Sequence, residues 1–194
     1  DPDLILKKLY QCFLSRGGQF QKEEVTSIKP REDTTQVNNY EYDQLVVCTG
    51  AFSKFLVKQI EGQFIPLETE RGYHIEFIKK NELLSRPTSL VESGMYLTPL
   101  HNRLRAVGTV ELGGLKNPLS KKRIDYIVKC AKELLPQLKE HEDEWLGFRP
   151  TLPDFLPVIG PSKNNKNIVY AFGHQHLGWT LGAITGKVVS GILA

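Results

Sequence analysis

The chain has little cysteine, with three residues in 194 and none of them close to another. Cys12, Cys48 and Cys130 each lie in an apolar stretch, without the short spacings of a disulfide framework or a metal-binding motif. This pattern argues against a disulfide-stapled secreted domain and predicts no metal site. We expect three reduced, buried thiols in a cytoplasmic protein.

Long hydrophobic runs and massed charge of one sign are also missing. No apolar stretch reaches the length of a membrane-spanning helix and no leader peptide is recognisable, so we expect neither a transmembrane segment nor an export signal. The formal net charge is only +3, and the basic residues are scattered apart from a short run at residues 121–123. This distribution is not that of a nucleic-acid-binding surface.

A proline-rich segment near the C-terminus, residues 147–160, contains the first candidate functional residue. Arg149 stands between an aromatic residue and Pro150. Prolines stiffen the backbone, so the guanidinium can be aimed with little loss of entropy, and its fork suits a carboxylate. Arg149 is therefore a candidate for binding an anionic substrate. The alternative is a structural ion pair with Asp154 or Glu144.

The segment that follows predicts a strand, a loop and a helix. Residues 167–172 are strand-like, a glycine-containing loop comes next, and an apolar helix runs from about Trp179 to the last residue. A helix N-terminus presents free N–H groups and the positive end of the helix dipole, which stabilise an anion or an electron-rich carbonyl. Three glycines in this helix recur every four residues and would line one face, open to close packing by another element: Gly178, Gly182 and Gly186.

The N-terminal part predicts a helix over residues 4–16, capped by Asp3 and ended by two glycines. Residues 19–29 have strand character, and a buried strand within residues 42–48 runs into Thr49-Gly50 and a helix from about Ser53. That order is typical of the carboxyl edge of a parallel nucleotide-binding sheet.

The middle of the chain predicts an antiparallel sheet with strands at residues 72–78, 88–99 and 104–112. In the first strand, Tyr73 and Ile75 would face one side, and His74 and Glu76 the other. An amphipathic helix at residues 121–135 would cover the sheet. The fold class is therefore α+β, and we predict two domains. Residues 1–61 and 146–194 form part of a nucleotide-binding α/β layer, and residues 62–145 form an inserted antiparallel-sheet domain with its helix.

Ordered motifs along the chain resemble the D-amino acid oxidase superfamily of FAD-dependent oxidoreductases. Within it the similarity is greatest to the small subunit of bacterial D-amino acid dehydrogenases, and glycine and sarcosine oxidases are more distant. The motifs are Asp1-Pro2, residues 46–53, Glu70-Arg71-Gly72-Tyr73-His74, residues 95–99, residues 108–111 and the two C-terminal segments.

The resemblance implies FAD as the cofactor and an amino acid as the substrate. It assigns Arg149 and Tyr96 to the substrate carboxylate, while His176 either contacts the substrate or fills space. FAD would be contacted by Val25 at the adenine, by Thr49 and Gly50 at the diphosphate or ribose, and along the flavin by a loop made of Gly173, His174, Gln175, His176, Leu177, Gly178, Trp179 and Thr180. For His174, a contribution through the backbone alone is the alternative.

The implied reaction is oxidative deamination, in which a hydride leaves Cα for the flavin, as in a D-amino acid dehydrogenase. One alternative is a glycine- or sarcosine-type amine oxidase that uses oxygen. Another, from a different class, is a non-catalytic fragment that binds a partner chain. A respiratory electron acceptor would place the protein at the inner membrane peripherally.

The chain departs from the family in one respect. It contains no G-x-G-x-x-G after an early strand and no acidic residue about twenty positions later, where the family holds the FAD diphosphate and ribose. We therefore expect a C-terminal fragment, inactive alone, whose partner is the missing N-terminal FAD-binding segment of the same protein.

Overall fold

The structure, a computed structural model, describes residues 2–78 and 83–194. Its helices are α1 (Pro2–Ser15), α2 (Ser53–Glu61), α3 (Lys121–Leu134) and α4 (Gly178–Leu193). Its strands are β1 (Ile28–Pro30), β2 (Thr35–Val37), β3 (Tyr40–Tyr42), β4 (Leu45–Val47), β5 (Glu68–Ile78), β6 (Thr88–Leu90), β7 (Met95–Pro99), β8 (Arg103–Leu112), β9 (His141–Thr151), β10 (Val158–Pro161) and β11 (Ile168–Phe172).

The largest sheet in the described ranges is antiparallel and has five strands in the order β6-β7-β8-β5-β9. Helix α3 packs on one face, which we call the closed face. The side chains buried between the sheet and the helix include Tyr73, Ile75, Phe77, Met95, Leu97, Leu104, Ala106, Ile124, Ile127 and Ala131. The α+β fold class and the covering helix are confirmed.

A second sheet joins the two ends of the chain, with β11 between β10 and β4. Strand β4 runs parallel to β11, and both are followed at the same edge by a glycine-containing turn. After β4 this turn is a short 3₁₀ helix, Gly50–Phe52, that leads into α2 as predicted. The carboxyl ends of the two parallel strands therefore bring Thr49 and Gly173 to one side of the molecule.

Two of the predicted strands differ from the observed ones. Residues 19–29 form a strand only at β1, which is the part that pairs with β2 in a small β1-β2-β3 meander. The predicted strand at residues 88–99 is a hairpin, because a turn at residues 91–94 separates β6 from β7. Strand β9 was not predicted, although it pairs with β5 over most of its length.

Strand β9 crosses the predicted domain boundary between residues 145 and 146. It is an edge strand of the sheet. Pro150 is tolerated there because an edge strand has a side on which no N–H group is needed. The division into two domains stays a prediction.

Helix α1 exposes its apolar side chains along its whole length. Leu9 is 60% exposed, and Leu6 and Phe13 are similar. Its start at Pro2 puts Asp3 inside the first turn instead of at the cap, and Asp1 lies outside the described residues. None of the helices in the described ranges combines the length and hydrophobicity needed to cross a bilayer.

The prediction of buried thiols is wrong. Cys12 and Cys48 are exposed and Cys130 is half-buried. The physical reason is that α1 and the free edge of β4 have no packing partner among the described residues, so apolar sequence there does not imply burial.

Candidate functional site

Arg149 lies on the sheet face opposite α3, which we call the open face. It pairs with Glu70 across β5 and β9, and its guanidinium occupies the space above the neighbouring Gly72, where a Cβ would overlap it. Within residues 2–78 and 83–194 it makes no hydrogen bond or ion pair. Glu144 binds Lys121 at 2.6 Å and His141 at 3.0 Å instead.

Asp154, the other structural partner considered for Arg149, accepts a hydrogen bond from the Leu156 N–H at 3.1 Å. Arg149 is therefore a half-buried cation with donors left over among the described residues. A cation in this state is suited to a ligand carboxylate.

Tyr96 lies on the same open face and is 58% exposed. It belongs to a cross-strand row in which Tyr96 pairs with Val107, Val107 with His74, and His74 with Trp145. This row is next to the one that contains Gly72. With strands about 4.8 Å apart and about 7 Å between alternate residues, the Cα atoms of Tyr96 and Gly72 are roughly 12 Å apart. The phenol and the guanidinium can therefore approach one small molecule from two sides.

The loop between β11 and α4 is tied to the strand that carries Arg149. The Gln175 N–H donates to the Pro150 carbonyl at 3.1 Å, and Gln175 has a left-handed φ of 51°. The His174 ring is bonded to the Thr185 hydroxyl at 2.9 Å, and burial lowers its pKa. The His174 side chain thus ties the loop to α4.

Helix α4 begins at Gly178, one residue before the predicted start, and Leu177 caps it without a side-chain hydrogen bond. The N–H groups of the first turn are therefore free of side-chain partners at this cap. His176, Trp179 and Thr180 are exposed around it. Cβ atoms built on Gly182 and Gly186 meet nothing within 4 Å, so the glycine face is open in the described chain.

Thr49 and Gly50 follow β4 at the sheet edge where Gly173 follows β11. The Thr49 and Ser53 hydroxyls are 2.9 Å apart, and Gly50 has a φ of 55°. Val25 precedes β1 in an irregular segment, and no described hydrogen bond, ion pair or ring contact joins it to the other candidates. The structure brings the two glycine turns to the same edge of the sheet.

Four other charged residues of the open face form a cluster of ion pairs. Glu76 binds Arg103 at 3.0 Å and Arg105 at 2.7 Å, and Arg103 also binds Asp143 at 2.6 Å. Burial raises the pKa of Glu76, but the hydrogen bonds from Arg105 and Arg103 outweigh it, so this pKa lies below its usual range.

His74, beside this cluster, is stacked on Trp145 with ring centroids 4.6 Å apart. Burial, followed by the charge of Arg105, lowers the pKa of His74 to about 4. The imidazole is neutral at physiological pH. The stack was missed in the sequence because its partner strand was not predicted.

Solved structures define the class of fold to which this arrangement belongs. The structure is similar to iminodiacetate oxidase from a Chelativorans species, with a TM-score of 0.84 and 17% identity over 98% of this chain and 54% of that one. It is also similar to glycine oxidase from Geobacillus kaustophilus, with a TM-score of 0.76 and 22% identity over 87% of this chain and 47% of that one. The fold is that of these two oxidases.

Sequence comparison then gives the family. The chain belongs to the FAD dependent oxidoreductase (DAO) family, whose model matches residues 1–192. A D-amino-acid oxidase of Bradyrhizobium diazoefficiens is 33% identical over 205 residues, which cover 100% of this chain and 48% of the relative. A D-amino acid dehydrogenase of Vibrio atlanticus is 33% identical over 83% of this chain and 39% of the relative. The chain spans about half the length of the curated relatives that it matches.

Proposed function

We propose that this chain is the substrate-binding and flavin-facing part of an FAD-dependent oxidoreductase that oxidatively deaminates a D-amino acid. The observation that carries the proposal is the Arg149 guanidinium, which lies on the open face without a carboxylate partner among the described residues. A bidentate arginine is the usual partner of a carboxylate. The names of the two relatives at 33% identity support an amino acid as the ligand.

In this mechanism the main contribution of the chain is to position the substrate. Arg149 holds the substrate carboxylate, and the exposed Tyr96 phenol donates to the same group from the side of β7. Two contacts on one carboxylate fix the direction of the Cα–H bond, and holding reactants in one orientation is a large part of catalysis. The amine of the substrate must be neutral when the hydride leaves, and water then hydrolyses the imine to a 2-oxo acid and ammonia.

The residues at the sheet edge fit one end of a flat cofactor that gains negative charge on reduction. Gly50 and Gly173 have left-handed backbones, and a Cβ on Gly50 would meet nothing within 4 Å. The free N–H groups at the start of α4 are suited to a carbonyl that gains negative charge. When bound, FAD supplies the oxidant that accepts two electrons from the substrate. His176 and Trp179 are exposed next to this end and stay candidate contacts.

The partner of this part, in the proposal, is the N-terminal FAD-binding segment of the same protein. The exposed apolar side of α1, the open glycine face of α4 and the unpaired edge of β4 support it. A groove of about 280 Å³ between α4 and this edge is lined mostly by apolar residues, together with His174 and Thr185. The relatives are about twice as long as this chain, so their additional residues are numerous enough to form a segment that covers these surfaces.

The test is an assay of the natural gene product that contains this chain. We expect bound FAD, and release of ammonia and a 2-oxo acid from D-amino acids. The relatives include an oxidase and dehydrogenases, so peroxide formation is measured in parallel to separate oxygen from another electron acceptor. Bound FAD with no turnover of any amino acid under either acceptor would overturn the proposed reaction.

A further inference from the structure

A pair of facing glycines shapes the open face next to Arg149. Gly72 of β5 and Gly147 of β9 are cross-strand partners. A Cβ on Gly72 would overlap the Arg149 guanidinium, and a Cβ on Gly147 would overlap the six-membered ring of Trp145. The Arg149 guanidinium and the Trp145 indole therefore occupy the space above two adjacent positions that have no side chains of their own.

The two flat groups are close enough to contact one small molecule. Paired residues in an antiparallel sheet have Cα atoms about 5 Å apart, so the guanidinium over Gly72 and the indole over Gly147 are separated by about that distance. This is comparable to the separation between the carboxylate and the side chain of a single amino acid. A carboxylate on Arg149 places the rest of the molecule beside Trp145.

Trp145 has neutral neighbours within its own cross-strand row. His74 stacks on it with an interplanar angle of 18°. Val107 continues the same cross-strand row, and Val110 pairs with Gly72. The charged side chains of the next row, Glu76 and Arg105, bind each other. The Trp145 indole has one exposed side and lies next to the unpaired Arg149 guanidinium. Together the two groups are complementary to a carboxylate that bears an apolar group.

We propose that Trp145, held in place by His74, is the subsite for the substrate side chain and makes the enzyme prefer aromatic and large apolar amino acids over small ones. The inference rests on the proposed function, because it takes the Arg149 carboxylate contact as its fixed point. Trp145 determines specificity in this view, and His74 is a positioning residue that acts through the indole.

The experiment compares kcat/KM for D-phenylalanine and D-alanine in the natural gene product and its Trp145→Ala variant. We expect the value for D-phenylalanine to fall about ten-fold, while that for D-alanine changes less than about three-fold. Trp145→Phe should keep most of the preference. Tyr126→Ala is the matched control, because Tyr126 is an exposed aromatic residue on α3, on the other side of the sheet.

Binding without turnover gives a second readout. Calorimetry should show that Trp145→Ala weakens phenylacetate about ten-fold and leaves acetate nearly unchanged, since both probes carry the same carboxylate. Equal losses for both substrates and both probes would overturn the side-chain subsite while leaving the proposed function in place. Failure of the proposed function would look different, with no amino acid oxidised by the unmodified protein and no effect of Arg149→Ala on acetate binding.

Discussion

The two faces of the five-stranded sheet are built from alternate residues of the same strands, yet only one of them is covered by a helix among the described residues. On the closed face, Ile75 and Phe77 are fully buried against α3. On the open face, the same strand presents Gly72, His74 and Glu76 to a surface with an unpaired arginine and an exposed aromatic plate. Successive side chains of a strand point to opposite sides. Residues that stabilise the core and residues that are available to a ligand therefore alternate along the same strand.

The largest expected effect is a loss of stability from the closed face. Phe77→Ala should lower the free energy of unfolding by about 3–5 kcal/mol, because it leaves a cavity under α3. Chemical denaturation of the natural gene product measures it. The substrate KM of the remaining folded protein should stay nearly constant. A changed KM with unchanged stability would break the separation of the two faces.

Two matched glycine substitutions, one on each face of the sheet, test whether the two faces act separately. Gly72→Ala should displace the Arg149 guanidinium and raise the substrate KM about ten-fold, equivalent to about 1.4 kcal/mol. Gly108→Ala, in the paired strand β8, places its Cβ 2.7 Å from the Met95 Cγ and should act on stability instead. Steady-state kinetics and thermal unfolding of both variants are the measurements. Similar profiles for the two would contradict the assignment of the faces.

A pH dependence of stability should originate at His74. Its pKa is about 4 in the folded protein and 6.5 for an unperturbed imidazole, so the unfolded chain binds more protons between these values. Stability should therefore fall as the pH drops from about 6.5 towards 4, by roughly 1–2 kcal/mol after allowance for solvent screening.

The control for this effect is His74→Gln, which leaves the charged neighbours Arg105, Glu76 and Asp143 in place. It should show a smaller loss of stability than the unmodified protein over the same pH interval, with little difference above pH 7. Parallel curves of unfolding temperature against pH for the two proteins would remove His74 as the source.

The elements predicted correctly are those whose polar and apolar residues alternate with a regular period. The alternation of Tyr73 and Ile75 with His74 and Glu76 is confirmed, as is the amphipathic helix α3, because one-sided burial imposes a period on the sequence. Strand β9 was not predicted, because Pro150 and several charged residues are unusual in a strand and because its pairing with β5 is long-range.

The candidate site was predictable only in part. Arg149 stood out through its stiff proline neighbours, whereas the facing of Gly72 and Gly147 depends on register between strands far apart in the chain. Burial of Cys12 was predicted wrongly because apolar sequence indicates a need for a partner and does not say whether that partner lies within this chain.

The central claim is that Arg149 binds the carboxylate of an amino-acid substrate. The most direct measurement is the KM and kcat of the natural gene product and its Arg149→Ala variant on one D-amino acid, with flavin content determined for both. Arg123→Ala is the control, since Arg123 of α3 donates a hydrogen bond to the Val110 carbonyl and pairs with Glu111, both of β8. We expect Arg149→Ala to raise the KM more than about ten-fold while FAD stays bound, and Arg123→Ala to leave the KM nearly unchanged. Unchanged kinetics for that variant would contradict it.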